Sequence, residues 1–180
     1  NVHQITALDA IDQAFETYTT VLLHGVTSSG KTELYVKKIE AILEQGKQAL
    51  YLVPEIALTS QLVQRLEKYF GNQIAVYHSR YSQNERLEVW NHVLNNSENA
   101  RVIIGARSSI FLPFSNLGLV IIDEEHEQSY KQFDPSPRYH ARDTAIVLAA
   151  LYQAKTLLGS ATPSIESFYN ATKENKFGYV

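Results

Sequence analysis

The sequence predicts an α/β fold, a mostly parallel sheet with helices on both faces. Three observations carry that expectation. Apolar runs of four to six residues alternate with stretches of ten or more whose apolar residues recur at helical spacing, the pattern of repeated strand–helix units. Gly25, Pro54, Gly105, Asp123 and Gly159 each follow an apolar run. Ligands of parallel sheets sit outside the carboxyl ends of the strands, so these residues should share one rim. Residues 22–35 read LLHGVTSSGKTELY, with G-x-x-x-x-G-K-T running from Gly25 through Gly30, Lys31 and Thr32. That is the phosphate-binding loop joining a strand to a helix.

The elements follow in order. Residues 6–17 carry Leu8, Ile11, Ala14 and Phe15 on one helical face. The β-branched, apolar run 20–24 is a buried strand, and 32–45 is a helix stopped by Gly46. Residues 48–53 form a second strand closed by Pro54, and 57–70 a helix with Leu58, Leu62, Leu66 and Phe70 in step, ended by Gly71. A short strand at 73–77 precedes Ser82-Gln83-Asn84-Glu85, an S-x-x-E capping box opening a helix through Leu87, Trp90, Val93 and Leu94. Residues 101–105 are a strand, and a turn from Arg107 leads to the most apolar strand, 119–122. Residues 125–139, polar, aromatic and Pro-containing, read as a loop; 141–154 as a helix, 156–159 as a strand, and 164–172 as a last helix.

At 180 residues the chain is one large domain, expected to span 1–180. It has no cysteine, which excludes disulfides and thiolate metal sites. The formal net charge of −3 argues against a surface that is all nucleic-acid footprint, but not against a local basic patch. No apolar run approaches the roughly 18 residues of a membrane span, and no signal-peptide pattern opens the chain. A soluble, cytoplasmic protein with no membrane partner is expected. The chain has no methionine and stops at 177–180, where a strand begins, so it reads as a piece of a longer protein.

The chemistry of the loop follows from its residues. Gly25 and Gly30 free the backbone so that successive N–H groups along Gly25, Val26, Thr27, Ser28, Ser29 and Gly30 turn onto phosphate oxygens. The helix N-terminus favours the same anion. Lys31 supplies a cation for the β- and γ-phosphates, and Thr32 a hydroxyl for Mg²⁺. Hydrolysis needs an acid for the metal and a group to orient water. The string Leu119-Val120-Ile121-Ile122-Asp123-Glu124 offers both at a strand end, Asp123 for Mg²⁺ and Glu124 for the water. Glu125 and His126 complete D-E-E-H. Gly159-Ser160-Ala161-Thr162-Pro163 also follows a strand. Alone it is a turn or helix N-cap; beside the other motifs, Ser160 and Thr162 are expected to hydrogen-bond Glu124 or His126 and relay the nucleotide state.

These motifs, in this order on a parallel sheet, resemble the first RecA-like lobe of superfamily 2 helicases. The strings GVTSSGKTE (25–33), VPEIALT (53–59), GARSS (105–109), DEEH (123–126), SYKQ (129–132), RYHARD (138–143) and GSATP (159–163) narrow the resemblance. They are similar to those of the PriA family, the primosomal replication-restart helicases (primosomal protein N′) of bacteria, from about residue 4 to about residue 167. The resemblance implies a RecA-like P-loop NTPase fold using ATP and Mg²⁺. It implies a role for Gln4 in reading the adenine edge, although the residue alone is only a polar side chain near a terminus. It implies that Pro54, Glu55 and Thr59, with Arg107 and Ser108, lie against single-stranded DNA, where hydroxyls and the guanidinium can donate to phosphates. A strand-end turn plus a helix cap explains those strings equally well without it. In the loop 125–143, Tyr130, Phe133 and Tyr139 interleave with Lys131, Arg138, His140 and Arg142. Aromatic faces stack on bases at ~1–3 kcal/mol each while cations track the backbone, so the loop is expected to couple DNA to hydrolysis.

The family also carries a second RecA-like lobe, a cysteine-rich zinc region and further DNA-binding domains. None is in these 180 residues, so zinc is expected only outside them. The second lobe should bring an arginine to the γ-phosphate, worth ~10³–10⁵ in rate, so hydrolysis by this chain alone should be very weak. The leading reading is the motor lobe of an ATP-dependent 3′→5′ DNA helicase that restarts stalled replication forks. Expected partners are single-stranded and forked DNA, the second lobe, the primosome and single-strand-binding proteins. Two other classes share part of the pattern: a P-loop ATPase or kinase acting on a non-nucleic-acid substrate, against which D-E-E-H and S-A-T-P argue, and a DNA-binding module with weak nucleotide binding.

Overall fold

The computed structural model describes residues 2–26, 29–78 and 81–180. Among them, seven strands form one parallel sheet: β1 (Thr20–His24), β2 (Gln48–Leu52), β3 (Ile74–Tyr77), β4 (Val102–Gly105), β5 (Leu117–Asp123), β6 (Lys155–Ser160) and β7 (Gly178–Tyr179). Their order across the sheet is β3-β4-β2-β5-β6-β1-β7. The helices are α1 (Val2–Thr17), α2 (Lys31–Glu44), α3 (Ser60–Phe70), α4 (Gln83–Leu94), α5 (Ala141–Leu151) and α6 (Ile165–Thr172).

Successive side chains of a strand point to opposite faces, and each face here has its own core. Val21 and Leu23, Ala49 and Tyr51, and Leu119 and Ile121 pack with Ile11 of α1, Val36 and Ile39 of α2 and Leu66 of α3. Leu22, Leu50 and Leu52, and Val120 and Ile122 pack on the other side with Val93 of α4, Ala145 and Ala149 of α5 and Ala171 of α6. Burial on both faces is why these strands read as unbroken apolar runs rather than alternating ones.

The expected elements are present, with shifted ends. Helix α1 starts at Val2, which puts Gln4 inside its first turn rather than ahead of it. Helix α3 starts at Ser60, not at 57, because Thr59 caps it: its Oγ1 accepts from the Leu62 N–H at 3.3 Å. A 3₁₀ turn, Glu55–Ala57, fills the gap. The capping box of α4 forms in both directions, with Ser82 N donating to Glu85 Oε2 at 2.7 Å and Glu85 N to Ser82 Oγ at 3.3 Å. Strand β5 begins two residues early, at Leu117, because Gln48 opposite binds the backbone N–H groups of Ser115 and Asn116, each at 3.1 Å. The segment 125–139 is more ordered than a plain loop. It holds a 3₁₀ turn, Gln128–Tyr130, and an antiparallel bridge from Lys131 to His140.

The expected rim forms. In the sheet β5 and β6 lie between β2 and β1, so Asp123 and Ser160 end up beside the loop that follows β1. Backbone bonds continue past the strand ends: Gly25 N to Ser160 O at 3.0 Å, Glu125 N to Gly159 O at 3.1 Å and Val53 N to Gly105 O at 3.0 Å. Neighbouring strand ends are thereby tied in pairs before any ligand is considered: the β1 loop to β6, the β5 turn to β6, and the end of β2 to β4.

Candidate functional site

Gly30 precedes α2 with φ 87°, a left-handed conformation that a Cβ disfavours. A Cβ there would also lie 2.5 Å from Gln4 Nε2. The close approach sets the Gln4 amide against the end of the phosphate loop. Helix α2 starts at Lys31, so its unpaired N–H groups open onto the rim. Lys31 is 8% exposed, and its Nζ donates to Gly25 O at 2.8 Å and to Val26 O at 3.5 Å. The same Nζ is 3.8 Å from Glu124 Oε1. Of the remaining loop residues, Ser29 is exposed, while Thr27 and Ser28 lie outside the described residues.

A cavity of about 290 Å³ lies over this turn, lined by Gly30, Lys31, Thr32, Arg65, Asp123 and Glu124. The P-loop cation, the Thr32 hydroxyl and both expected acids therefore face one space. Among the described residues no cluster of three or more His, Cys, Asp or Glu side chains could cage a metal. One hydroxyl and one carboxylate, those of Thr32 and Asp123, suit Mg²⁺, which keeps most of its waters and takes one or two protein ligands plus phosphate oxygens. Thr32 and Asp123 are the residues that would hold it.

The turn after β5 sorts the four ionisable residues. Glu124 adopts φ 48°, uncommon for a residue with a side chain, and its N–H donates to Asp123 Oδ1 at 3.1 Å. The reversal leaves Glu124 half-buried at the cavity and turns Glu125 inward, where it is fully buried. Glu125 Oε1 accepts from Ser164 N at 2.7 Å. Its Oε2 accepts from Arg142 Nη1 at 3.0 Å, Ser164 Oγ at 3.0 Å and Ser167 Oγ at 2.8 Å. His126 faces the 159–163 turn, with Nδ1 2.7 Å from Ser160 Oγ and Nε2 3.4 Å from Thr162 Oγ1. Its Nδ1 is 3.7 Å from Glu124 Oε2. The expected bonds of Ser160 and Thr162 thus fall on His126.

Three groups around the site were not expected, two behind Asp123 and one on the cavity wall. The hydroxyls of Tyr35 and Tyr51 donate to the two oxygens of Asp123, at 3.0 Å to Oδ1 and 3.1 Å to Oδ2. Burial above all, and then the Asp123 charge, push both phenols well above their usual range, so they remain donors. Burial also raises the Asp123 carboxyl, against the pull of Tyr35. In sequence both tyrosines pass for apolar members of a helix and a strand. The available signal is that a buried hydroxyl needs a partner. The third group is Arg65 of α3, paired with Glu33 at 2.6 Å, while Tyr69 Oη donates to the same carboxylate at 2.9 Å.

The residues expected against DNA divide. Pro54 is buried, Glu55 and Thr59 are exposed, and Arg107 and Ser108 are half-buried. Arg107 Nη1 donates to the carbonyls of Ser129 at 3.4 Å and Lys131 at 3.1 Å, so it staples the base of the loop. The stacking role expected of Tyr130 does not fit. It is 1% exposed, packed in the core, and its hydroxyl donates to Asp123 O at 2.7 Å. Nor does Arg142 track a backbone: it is 7% exposed and committed to Glu125, to Ser164 Oγ at 2.6 Å and to Asp143 at 2.8 Å. Neither burial is announced locally: Tyr130 reaches back from the 3₁₀ turn to the end of β5, and Arg142 lies in the first turn of α5, which begins at Ala141 as expected. Phe133, 66% exposed, and the exposed Arg138 stand at the tip of the loop, which Gln132 closes by donating to Pro135 O and Pro137 O. Tyr139 is half-buried, edge-on to Phe111 at 5.0 Å between ring centroids, and Lys131 is half-buried in the bridge to His140.

Comparison with known proteins agrees with this fold. The model of the DEAD/DEAH box helicase family matches residues 2–170. The replication restart protein PriA of Bacillus subtilis is 52% identical over 152 residues, 84% of this chain and 18% of that protein. PriA of Haemophilus influenzae is 55% identical over 149 residues (83% and 20%), and PriA of Chlamydia trachomatis 44% over 173 (95% and 23%). The chain spans about a fifth of the length of these relatives. Among solved structures, RecG bound to a three-way DNA junction aligns with a TM-score of 0.69 at 24% identity, covering 98% of this chain and 23% of that one. The DUF1998 helicase MrfA bound to DNA and AMPPNP aligns at 0.66 and 20% identity, covering 99% and 26%. At that identity the likeness speaks to the fold, which is RecA-like. Fold, cavity and motif order thus converge, and the chain belongs to the DEAD/DEAH box helicase family.

Proposed function

We propose that residues 1–180 are the ATP-binding motor lobe of an ATP-dependent DNA helicase that acts in replication restart. The observation that carries the reading is one cavity. Lys31, Thr32, Asp123 and Glu124 line it together, and the chain runs directly from Glu124 into the loop that exposes Phe133 and Arg138.

In this reading the backbone N–H groups around Gly30 and the start of α2 hold the phosphates. Lys31 moves its ammonium from the carbonyls of Gly25 and Val26 onto the β- and γ-phosphates. Gln4, packed against Gly30, reads the adenine edge. Mg²⁺, when bound, neutralises phosphate charge; Thr32 offers it a hydroxyl and Asp123 a carboxylate. Glu124 orients the attacking water and takes its proton. His126 links Glu124 to Ser160 and Thr162. Single-stranded DNA lies across the rim at Pro54, Glu55, Thr59, Arg107 and Ser108, with Phe133 stacking on a base and Arg138 meeting phosphate. Tyr130 and Arg142 serve coupling from inside the fold rather than contact with DNA. A second RecA-like lobe would supply the missing arginine.

The relatives named replication restart protein support the restart role. Polarity 3′→5′, forked DNA, the primosome and single-strand-binding proteins as partners, and zinc in other regions rest on family resemblance. Cytoplasmic location suits action on DNA, and no helix among the described residues is long and apolar enough to cross a membrane. In a protein carrying this lobe with its second lobe, Lys31→Ala should abolish DNA-stimulated ATP hydrolysis while DNA binding survives. Undiminished turnover would overturn the assignment. Transfer of phosphate to a small molecule instead of its release would point to a kinase.

A further inference from the structure

The Asp123 carboxylate is held from three directions. Tyr35 reaches Oδ1 from α2, the helix that carries Lys31 and Thr32; Tyr51 reaches Oδ2 from β2; and the Glu124 N–H reaches Oδ1 from the turn. A carboxylate has about four acceptor sites, two on each oxygen. Oδ1 therefore has both in use, and Oδ2 has one left. The two donors come from a helix and a strand on the same face of the sheet and stack edge-on at 5.5 Å between centroids, so neither ring can swing without displacing the other. Both tyrosines are fully buried. No other polar partner competes for their hydroxyls among the described contacts, and their bulk alone would be met equally well by phenylalanine.

Gly159 shows what the arrangement demands. A Cβ built there would lie 1.7 Å from the Tyr35 hydroxyl and 2.9 Å from its Cζ. Gly159 pairs with Asp123 across β5 and β6, so Tyr35 passes directly over it to reach the acid. The glycine of the 159–163 turn is thus the clearance for this hydroxyl.

We propose that Tyr35 and Tyr51 are positioning residues for the metal-binding acid. They fix the carboxylate of Asp123 so that a single acceptor site, on Oδ2, would remain toward Mg²⁺. The inference rests on the reading of Asp123 as the metal's acid. It predicts contact through one oxygen, directly or through a water, since a bidentate grip would need the sites that Tyr35 and Glu124 already fill.

The test is the affinity of this chain for a fluorescent ATP analogue, measured in Mg²⁺ and again in EDTA, with thermal melting as a check on folding. Asp123→Ala should remove most of the gain in affinity that Mg²⁺ brings. Tyr35→Phe and Tyr51→Phe together should lower that gain by about 10–100-fold, the range for groups that support a metal's ligand, and leave binding in EDTA unchanged. A double variant that melts like the parent and keeps the full Mg²⁺ gain, while Asp123→Ala loses it, overturns the inference alone. An Asp123→Ala variant that keeps the gain overturns both this inference and the reading beneath it. Equal loss with and without Mg²⁺ in the double variant also overturns it, because the tyrosines would then be shaping the cavity and not the acid.

Discussion

Removing the carboxylate of Glu125 should cost the fold far more than it costs the nucleotide site. Glu125 is fully buried and accepts four hydrogen bonds, from Arg142 Nη1, Ser164 N, Ser164 Oγ and Ser167 Oγ. Glu125→Ala leaves the Arg142 guanidinium, itself 7% exposed, with only Asp143 as an ionic partner. Breaking a buried pair from one side costs ~3–5 kcal/mol. The orphaned Ser164 N–H adds to this on the scale of ~1–3 kcal/mol, but the terms overlap because the same Ser164 also binds Arg142. A loss of about 4 kcal/mol is expected. With a urea slope of about 2 kcal/mol per molar, the unfolding midpoint should fall by about 2 M. Glu125→Gln, which keeps the volume and one acceptor, should fall by roughly half as much. Glu125→Leu combined with Arg142→Met should recover much of the loss, since removing both charges spares the desolvation of either. A midpoint change under about 0.5 M for Glu125→Ala would refute the reasoning. So would an Arg142→Ala variant that keeps its stability and instead lowers the salt dependence of DNA binding, as a phosphate contact would.

Three further outcomes follow from other parts of the molecule. Phe133→Ala should weaken single-stranded DNA binding by ~1–3 kcal/mol in a fluorescence titration, whereas Tyr130→Phe should leave it unchanged because that ring faces the core. Glu124, at φ 48°, carries backbone strain of ~1–2 kcal/mol that glycine would not, offset by the extra freedom glycine gives the unfolded chain. Glu124→Gly should therefore melt at or slightly above the parent temperature, and Glu124→Gln at the parent temperature, with hydrolysis lost in both. Burial, followed by the Arg142 charge, lowers the pKa of His140 below its usual 6.5. The unfolded chain then takes up the proton first, so stability is fully present above about pH 6.5 and falls as the pH drops toward the folded value. His140→Asn should flatten that fall in a series of melts at stepped pH.

Much of the architecture was legible because its signals are local. A doubly buried parallel strand is an unbroken apolar run, a P-loop is eight consecutive residues, and a capping box is four. Asp123 and Glu124 could be placed at a strand end from the run before them. The supports of the site are not local. Tyr35 and Tyr51 stand 88 and 72 residues from Asp123, and Ser164 stands 39 from Glu125. Each looks ordinary in its own segment, the tyrosines as apolar members of a helix and a strand, the serine as a helix cap.

The misreading with consequences concerns Tyr130 and Arg142, for which the aromatic and basic pattern predicts contact with DNA and which are both buried. Which carboxylate meets the cavity and which meets the core is decided by one backbone angle, the left-handed φ of Glu124, and no residue type announces it in a side chain that usually avoids that region. Once Glu125 points inward, a cation must follow it, and Arg142 is the side chain at the start of α5 that can. That commitment draws α5 and α6 onto the turn after β5. Tyr130 ties the loop to the carbonyl of Asp123, and Arg107 ties it to the carbonyls of Ser129 and Lys131. The exposed tip at Phe133 is therefore mounted on a base anchored to the same strand end that lines the nucleotide cavity. A load on that tip meets buried, hydrogen-bonded contacts rather than a slack loop, the mechanical condition that the proposed coupling of DNA to nucleotide requires of this segment.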